Sequence, residues 1–259
     1  MFWDEIEPII TDRLKVAVDE AYKVFASYPM RAPLIYCDCN VCMTPEQARA
    51  LVSTPLREIP QGLMSEYTNS AHGYDRELIE PQFKYLLPRY LELIADCKPP
   101  GQLDIETCLD RLGSAGYRTS WAASEVEVID AFFDAFVEAN LGNLYLGKWP
   151  VGLRLEFDMI DVLVMVVRAS GDLDRVLGVF DKAPDPEAAV HMASMRAGVE
   201  IRDGRQLYRS AFLDDCPAQA ARIGEWLMRD SVTERILEAA DLLDDPSYDD
   251  VLELGLKQI

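Results

Sequence analysis

The stretch Ser124–Gly142, "SEVEVIDAFFDAFVEANLG", decides the fold class. Val126, Ile129, Phe132, Phe133, Phe136 and Val137 recur at three- and four-residue spacings, which lines one face of an α-helix with bulky apolar groups. Such a face is stable only when covered, so this helix must pack on other elements.

The same grammar extends in both directions. Thr44-Pro45-Glu46-Gln47 combines an N-cap hydroxyl, a proline whose missing N–H costs nothing in the first turn, and a glutamine placed to close a capping box. Asp185-Pro186-Glu187 and Asp245-Pro246 repeat the cap-then-proline logic, and Ser124 with Glu127 and Ser231 with Glu234 are further capping-box pairs. Alternating strands between paired turn signals are not evident. Helices are expected over 3–27, 45–52, 61–70, 75–96, 104–112, 121–140, 156–169, 173–181, 186–201, 217–229, 232–243 and 246–256, with a start at Pro81 or a kink at Pro88 in the fourth.

The expected fold is all-α: an irregular multi-helix bundle or a HEAT-like stack of antiparallel helical pairs, without an exact internal repeat. A single all-helical domain over 1–259 is expected, with two lobes, 1–145 and 154–259, if it divides. The cut falls in "NLGNLYLGKWPVGLRLEF", Asn140–Phe157, which reads as a long loop broken by Gly142, Gly147, Pro150 and Gly152. The helix expected after it is apolar on every side, the pattern of a buried helix, and only Asp161 interrupts it. A carboxylate there needs hydrogen-bond or cationic partners.

The chain has 259 residues, 49% hydrophobic and 27% charged, enough to fold around a sizeable core. Its net charge is −20, and from Asp230 to Ile259 nine carboxylates face only Arg235 and Lys257. That field repels phosphate backbones, which argues against nucleic acid and anionic membranes and is compatible with a basic protein partner. The acidic opening "MFWDEIEPIITDRLK" lacks a secretory pattern. The longest strongly apolar run, Met159–Val167, is far short of the ~20 residues of a membrane span. A cytoplasmic protein is expected, with its six cysteines as thiols or metal ligands.

The most specific chemistry lies in "YCDCNVCMTPEQARAL", Tyr36–Leu51, where Cys37, Cys39 and Cys42 form C-x-C-x-x-C just ahead of the Thr44 cap. Three readings are open. The thiols can fill a small buried bend as compact apolar groups. They can bind zinc, with His72 in "YTNSAHGYD" as fourth donor and Cys97 or Cys108 as alternatives. Or the α-helix N-terminus can activate Cys42 as a redox thiol, although acidic neighbours oppose a thiolate. The paired C-x-x-C knuckles usual for zinc are absent. His191, the other histidine, sits in a helical pattern without a nucleophile beside it and reads as structural. Glu66, His72 and Asp75 are close enough in sequence to meet across a turn. Phosphate-loop, dinucleotide, zinc-protease and nucleophile-elbow motifs are missing, and "LGSAGYR" around Ser114 reads as a helix end.

At "AYKVFASYP", the cysteines running into "MTPE", "TPLREIP" and "FKYLLPRYLELIA", the first 120 residues or so resemble a family of bacterial cytoplasmic helical proteins with a Cys-rich N-terminal segment. The resemblance implies no activity, cofactor or catalytic residue. The leading expectation is a non-enzymatic acidic helical scaffold or regulator that binds a protein partner, and the alternative is a metal-dependent enzyme or zinc-stabilised regulator centred on Cys37, Cys39, Cys42 and His72. A purely structural subunit is a third.

Overall fold

The helix read from Ser124–Gly142 forms as α7, Ala123–Asn140, in the computed structural model of the chain. The structure describes residues 6–30, 32–37, 39, 41–70, 76–101, 105–149, 152–155 and 158–257. Ile129, Phe132, Phe133, Phe136 and Val137 are buried as the spacing requires and Val126 is half-buried, with Phe132 stacked on Phe136 at 5.8 Å. Three of its carboxylates, Glu125, Asp130 and Asp134, are buried too, while Glu127 and Glu138 are exposed. Glu125 accepts from Lys84 Nζ at 2.9 Å, from the Ala122 N–H and from the Tyr28 hydroxyl, and Asp130 accepts from Arg118 at 2.6 Å. Around Glu125 and Asp130 the helix thus presents an ion-paired interior surface, which apolar periodicity alone does not reveal.

Helices dominate the described residues. In order they are α1 (Asp12–Val24), α2 (Pro45–Ser53), α3 (Gln61–Asn69), α4 (Arg76–Ala95), α5 (Asp110–Ser114), α6 (Tyr117–Ser120), α7, α8 (Met159–Arg168), α9 (Leu173–Lys182), α10 (Glu187–Arg196), α11 (Pro217–Leu227), α12 (Asp230–Leu242) and α13 (Asp249–Leu256). Two antiparallel hairpins accompany them: β1 (Leu146–Trp149) with β2 (Gly152–Leu155), and β3 (Val199–Arg202) with β4 (Arg205–Tyr208). The fold is all-α and multi-helical. No helix among the described residues is long and apolar enough to cross a membrane.

Several boundaries differ from expectation for identifiable reasons. α1 begins at Asp12 because Thr11, in extended conformation, caps it by accepting from the Leu14 N–H at 3.2 Å. α4 runs through both Pro81 and Pro88. The helix expected over 186–201 stops at Arg196, and the chain turns back as β3 and β4 through Asp203 and Gly204, with φ of 50° and 75°. Those two left-handed residues make the turn that suits a tight hairpin. The long loop expected over 140–157 carries β1 and β2 instead. Ser231 lies inside α12, whose N-cap is Arg229, and Asp185 makes no side-chain cap, whereas Asp245 accepts from the Ser247 N–H at 2.9 Å.

The contacts divide the chain into two compact units, Phe2–Phe136 with Arg168–Asp172, and Val137–Val167 with Leu173–Ile259. In the first, the N-terminal unit, α1 packs on α4, and its buried residues are Leu14, Ala17, Val18 and Ala21. α4 closes with Cys97 at φ 55°, the Lys98 N–H reaching the Leu93 carbonyl at 2.8 Å. In the second, the C-terminal unit, α10 is covered by α11, α12 and α13. A Cβ on Gly255 of α13 would come within 2.6 Å of Ala193 Cα, so this helix pair needs glycine to approach so closely.

Candidate metal centre

The bend that carries the three cysteines is fixed by neighbours on three sides. Ahead of it, Gln82 of α4, only 3% exposed, accepts from the Ile35 N–H at 3.0 Å and donates to the Pro33 carbonyl at 2.8 Å. At its start, the Cys37 N–H donates to Ser70 Oγ at 2.8 Å. Behind it, Met43 is buried and the capping box closes in both directions, Thr44 N–H to Gln47 Oε1 at 2.7 Å and Gln47 N–H to Thr44 Oγ1 at 3.2 Å.

Ser70 is itself held. It follows the last turn of α3, where the orphaned carbonyls need donors. Arg111 of α5, 3% exposed, donates Nη2 to the carbonyls of Tyr67, of Thr68 at 3.1 Å and of Ser70 at 2.9 Å, while its guanidinium lies 4.1 Å from the Tyr67 ring centre. One buried cation therefore ties the end of α3, and with it Ser70, to α5.

Within this frame the sulfurs of Cys37, Cys39 and Cys42 all lie within 4.8 Å of one another. Two thiols are half-buried and that of Cys39 is exposed. The Val41 amide, then the Cys37 and Cys42 thiols and the Cys42 amide, hydrogen-bond to Cys39 and lower its pKa to about 7. At Cys37 the Cys39 amide also favours the thiolate, but hydrogen bonds with the other two thiols and burial outweigh it, and the pKa rises. The group combines what a thiophilic ion requires: several sulfurs at one point, one of them readily deprotonated, and backbone N–H groups aimed at sulfur. The edge of a tetrahedral zinc–thiolate site, from a Zn–S bond of about 2.3 Å, is about 3.8 Å. The thiols fit such an ion with only a small closing movement, and can hold a metal.

The other sequence candidates divide into those outside the described residues and those placed elsewhere in the fold. His72 and Asp75 lie outside the described residues. Cys97 and Cys108 do not join the three thiols. Burial, with Asp96 adding to it, pushes the Cys97 thiol up to about 11, and burial with Asp110 and Glu106 pushes Cys108 well above the ordinary range. Both behave as apolar core groups. His191 is fully buried in α10; burial lowers its pKa to about 4 although the Asn140 and Asn143 backbones favour the charged form. Asp161 is half-buried on α8, whose other residues except Arg168 are buried. Ser114 ends α5 as expected.

Sequence reasoning missed Ser70, Gln82 and Arg111, whose buried polar roles leave no local pattern. It also missed Asp158, which accepts from the Ile160 N–H at 3.1 Å at the start of α8. An Asp just ahead of "MIDVLVMVV" was a readable cap signal. Compared with known proteins, the chain matches no family model, no curated protein and no solved structure.

Proposed function

We propose that the chain is a zinc-stabilised regulator, with the ion held by Cys37, Cys39 and Cys42 and by His72 as fourth donor. The observation that carries this reading is the convergence of three sulfurs within 4.8 Å on a bend anchored by Gln82, Ser70 and the Thr44 capping box. Ser70, which accepts from the Cys37 amide, stands two residues before His72 in the sequence. A closed four-ligand site of this kind is structural: it would hold the bend and the ends of α2 and α3 together.

Cobalt(II) substitution tests the reading. Thiolate coordination gives charge-transfer absorption in the near ultraviolet, and a tetrahedral site gives intense visible bands. The wild-type chain is expected to show both, Cys39→Ser to lose most of the charge-transfer intensity, and His72→Ala to weaken binding while keeping it. No thiolate band in the wild type would overturn the reading.

A second reading, the acidic scaffold, is favoured by one feature of the N-terminal unit. Between α1 and α7 an apolar trough of about 390 Å³ is lined by Val16, Val24, Val128 and Ala131 and flanked by Glu20, Glu127 and Arg13, the last 4.0 Å from Asp134. Apolar walls beside Glu20 and Glu127, with Arg13 already offset by Asp134, suit an amphipathic helix carrying Lys or Arg beside its apolar stripe. Fluorescence anisotropy with a labelled Leu/Lys model helix tests it: binding should weaken with salt and in Glu127→Lys, and binding indifferent to both would exclude it.

A further inference from the structure

The C-terminal unit contains a pocket that neither reading uses. It has a volume of about 280 Å³ and is lined by residues of β2, the start of α8, α10, β4 and α13. Leu155, Val251 and Leu254 supply apolar wall, and Leu155 and Val251 are themselves buried. Its polar part is built from Asp158, Ser194 and Tyr208.

Asp158 does more than cap α8. One carboxylate oxygen accepts from the Ile160 N–H at 3.1 Å, which capping explains; the other accepts from the Ser194 hydroxyl at 3.3 Å inside the pocket. Each oxygen offers about two lone-pair sites, so both retain acceptor capacity. No Lys, Arg or His pairs with this carboxylate among the described residues, and burial raises its pKa to about 6 against the opposing Ile160 and Ser194 hydrogen bonds. Arg154 also lines the pocket but is exposed, where water screens its charge. The Tyr208 ring is seated directly on Gly198, where a Cβ would lie 2.7 Å from the phenol oxygen, and that hydroxyl has no hydrogen-bond partner among the described residues.

A carboxylate without a counter-charge and a phenol without a partner, facing one pocket with apolar walls, describe the complement of a cation with a greasy tail. We propose that this pocket binds a small organic ammonium ion, its charged end on the Asp158 carboxylate and the Tyr208 hydroxyl and its apolar part between Leu155, Val251 and Leu254. A free metal cation fits less well, because Asp158 belongs to no group of three metal-capable side chains among the described residues. An anion is opposed by the carboxylate. The proposal is independent of the cysteine cluster, whose failure would leave it standing.

The test uses the full chain at pH 7.5 and calorimetric titration with n-alkylamines from propyl to hexyl, a series that scans tail length. The n-alcohols of matching length are the controls. Saturable binding of at least one amine, with the matching alcohol about tenfold weaker or undetectable, is expected. Asp158→Asn, which keeps the shape and the capping oxygen, is expected to reduce amine affinity to the level of the alcohol. If no amine binds, if alcohols bind as well as amines, or if Asp158→Asn binds amines as the wild type does, the proposal is overturned. The comparison of amine with alcohol is made on the wild type and so does not depend on the folding of the variant.

Discussion

Burial moves two side chains of the C-terminal unit into the same pH range with opposite consequences. His191 is lowered from its ordinary value of 6.5 to about 4, so an unfolded chain takes up the proton first as pH falls. The stability it contributes is present above pH 6.5 and is lost towards pH 4, a change of about 3 kcal/mol for a fully buried ring. Asp158 is raised from 3.8 to about 6, so the folded chain holds its proton more tightly. Its contribution is present below about pH 4 and is lost as pH rises through 6. In the wild type the two partly cancel. Asp158→Asn removes one partner of this balance. Its urea midpoint is expected to exceed the wild type at pH 7.5 and to fall more steeply between pH 6.5 and 4.5. Parallel pH profiles for the two proteins would refute the assignment. Neither shift is legible from sequence, since both come from what the fold places over the side chain.

Among elements, the helices were legible where cap and periodicity agreed. The Thr44 box and the α7 stripe are local patterns, and each is realised. The hairpins were obscured because the α10 periodicity reads on past Gly198 into "VEIRDGRQLY", although Asp203-Gly204 is a strong turn signal. The thiol group was legible as a spacing, but its anchors were not, because Arg111 lies about seventy residues downstream of the cysteines it helps to order. Arg111→Met should leave the three α3 carbonyls without their donor and free Ser70 to drift. Zinc affinity is expected to fall by about tenfold, as for other groups that orient metal ligands, with a separate loss of stability. A chelator-competition titration reads the first effect, and unchanged zinc affinity would remove Arg111 from the site. Glycines give a paired prediction within the C-terminal unit. Gly255→Ala must push against Ala193 at 2.6 Å and should cost about 1–3 kcal/mol, while Gly178 of α9 has nothing within 4 Å of an added Cβ. Gly178→Ala should stabilise by about 0.5–1 kcal/mol. Equal denaturation midpoints for the two variants would contradict the packing described.

For the whole molecule, two compact units meet the sequence as one all-α chain whose acidity is spread along its length. A net charge of −20 concentrates cations at the surface, a field in which both a divalent ion and an organic ammonium gain. A metal that binds only the folded N-terminal unit stabilises it by mass action, about 2.7 kcal/mol at a hundredfold excess over its dissociation constant. The central claim, that Cys37, Cys39 and Cys42 converge to hold zinc, is tested most directly by metal content. The chain is purified without chelator, equilibrated with zinc, desalted and analysed by elemental mass spectrometry. One zinc per wild-type chain, lost in Cys39→Ser, is the predicted result; wild-type chains that retain no more zinc than Cys39→Ser would contradict it.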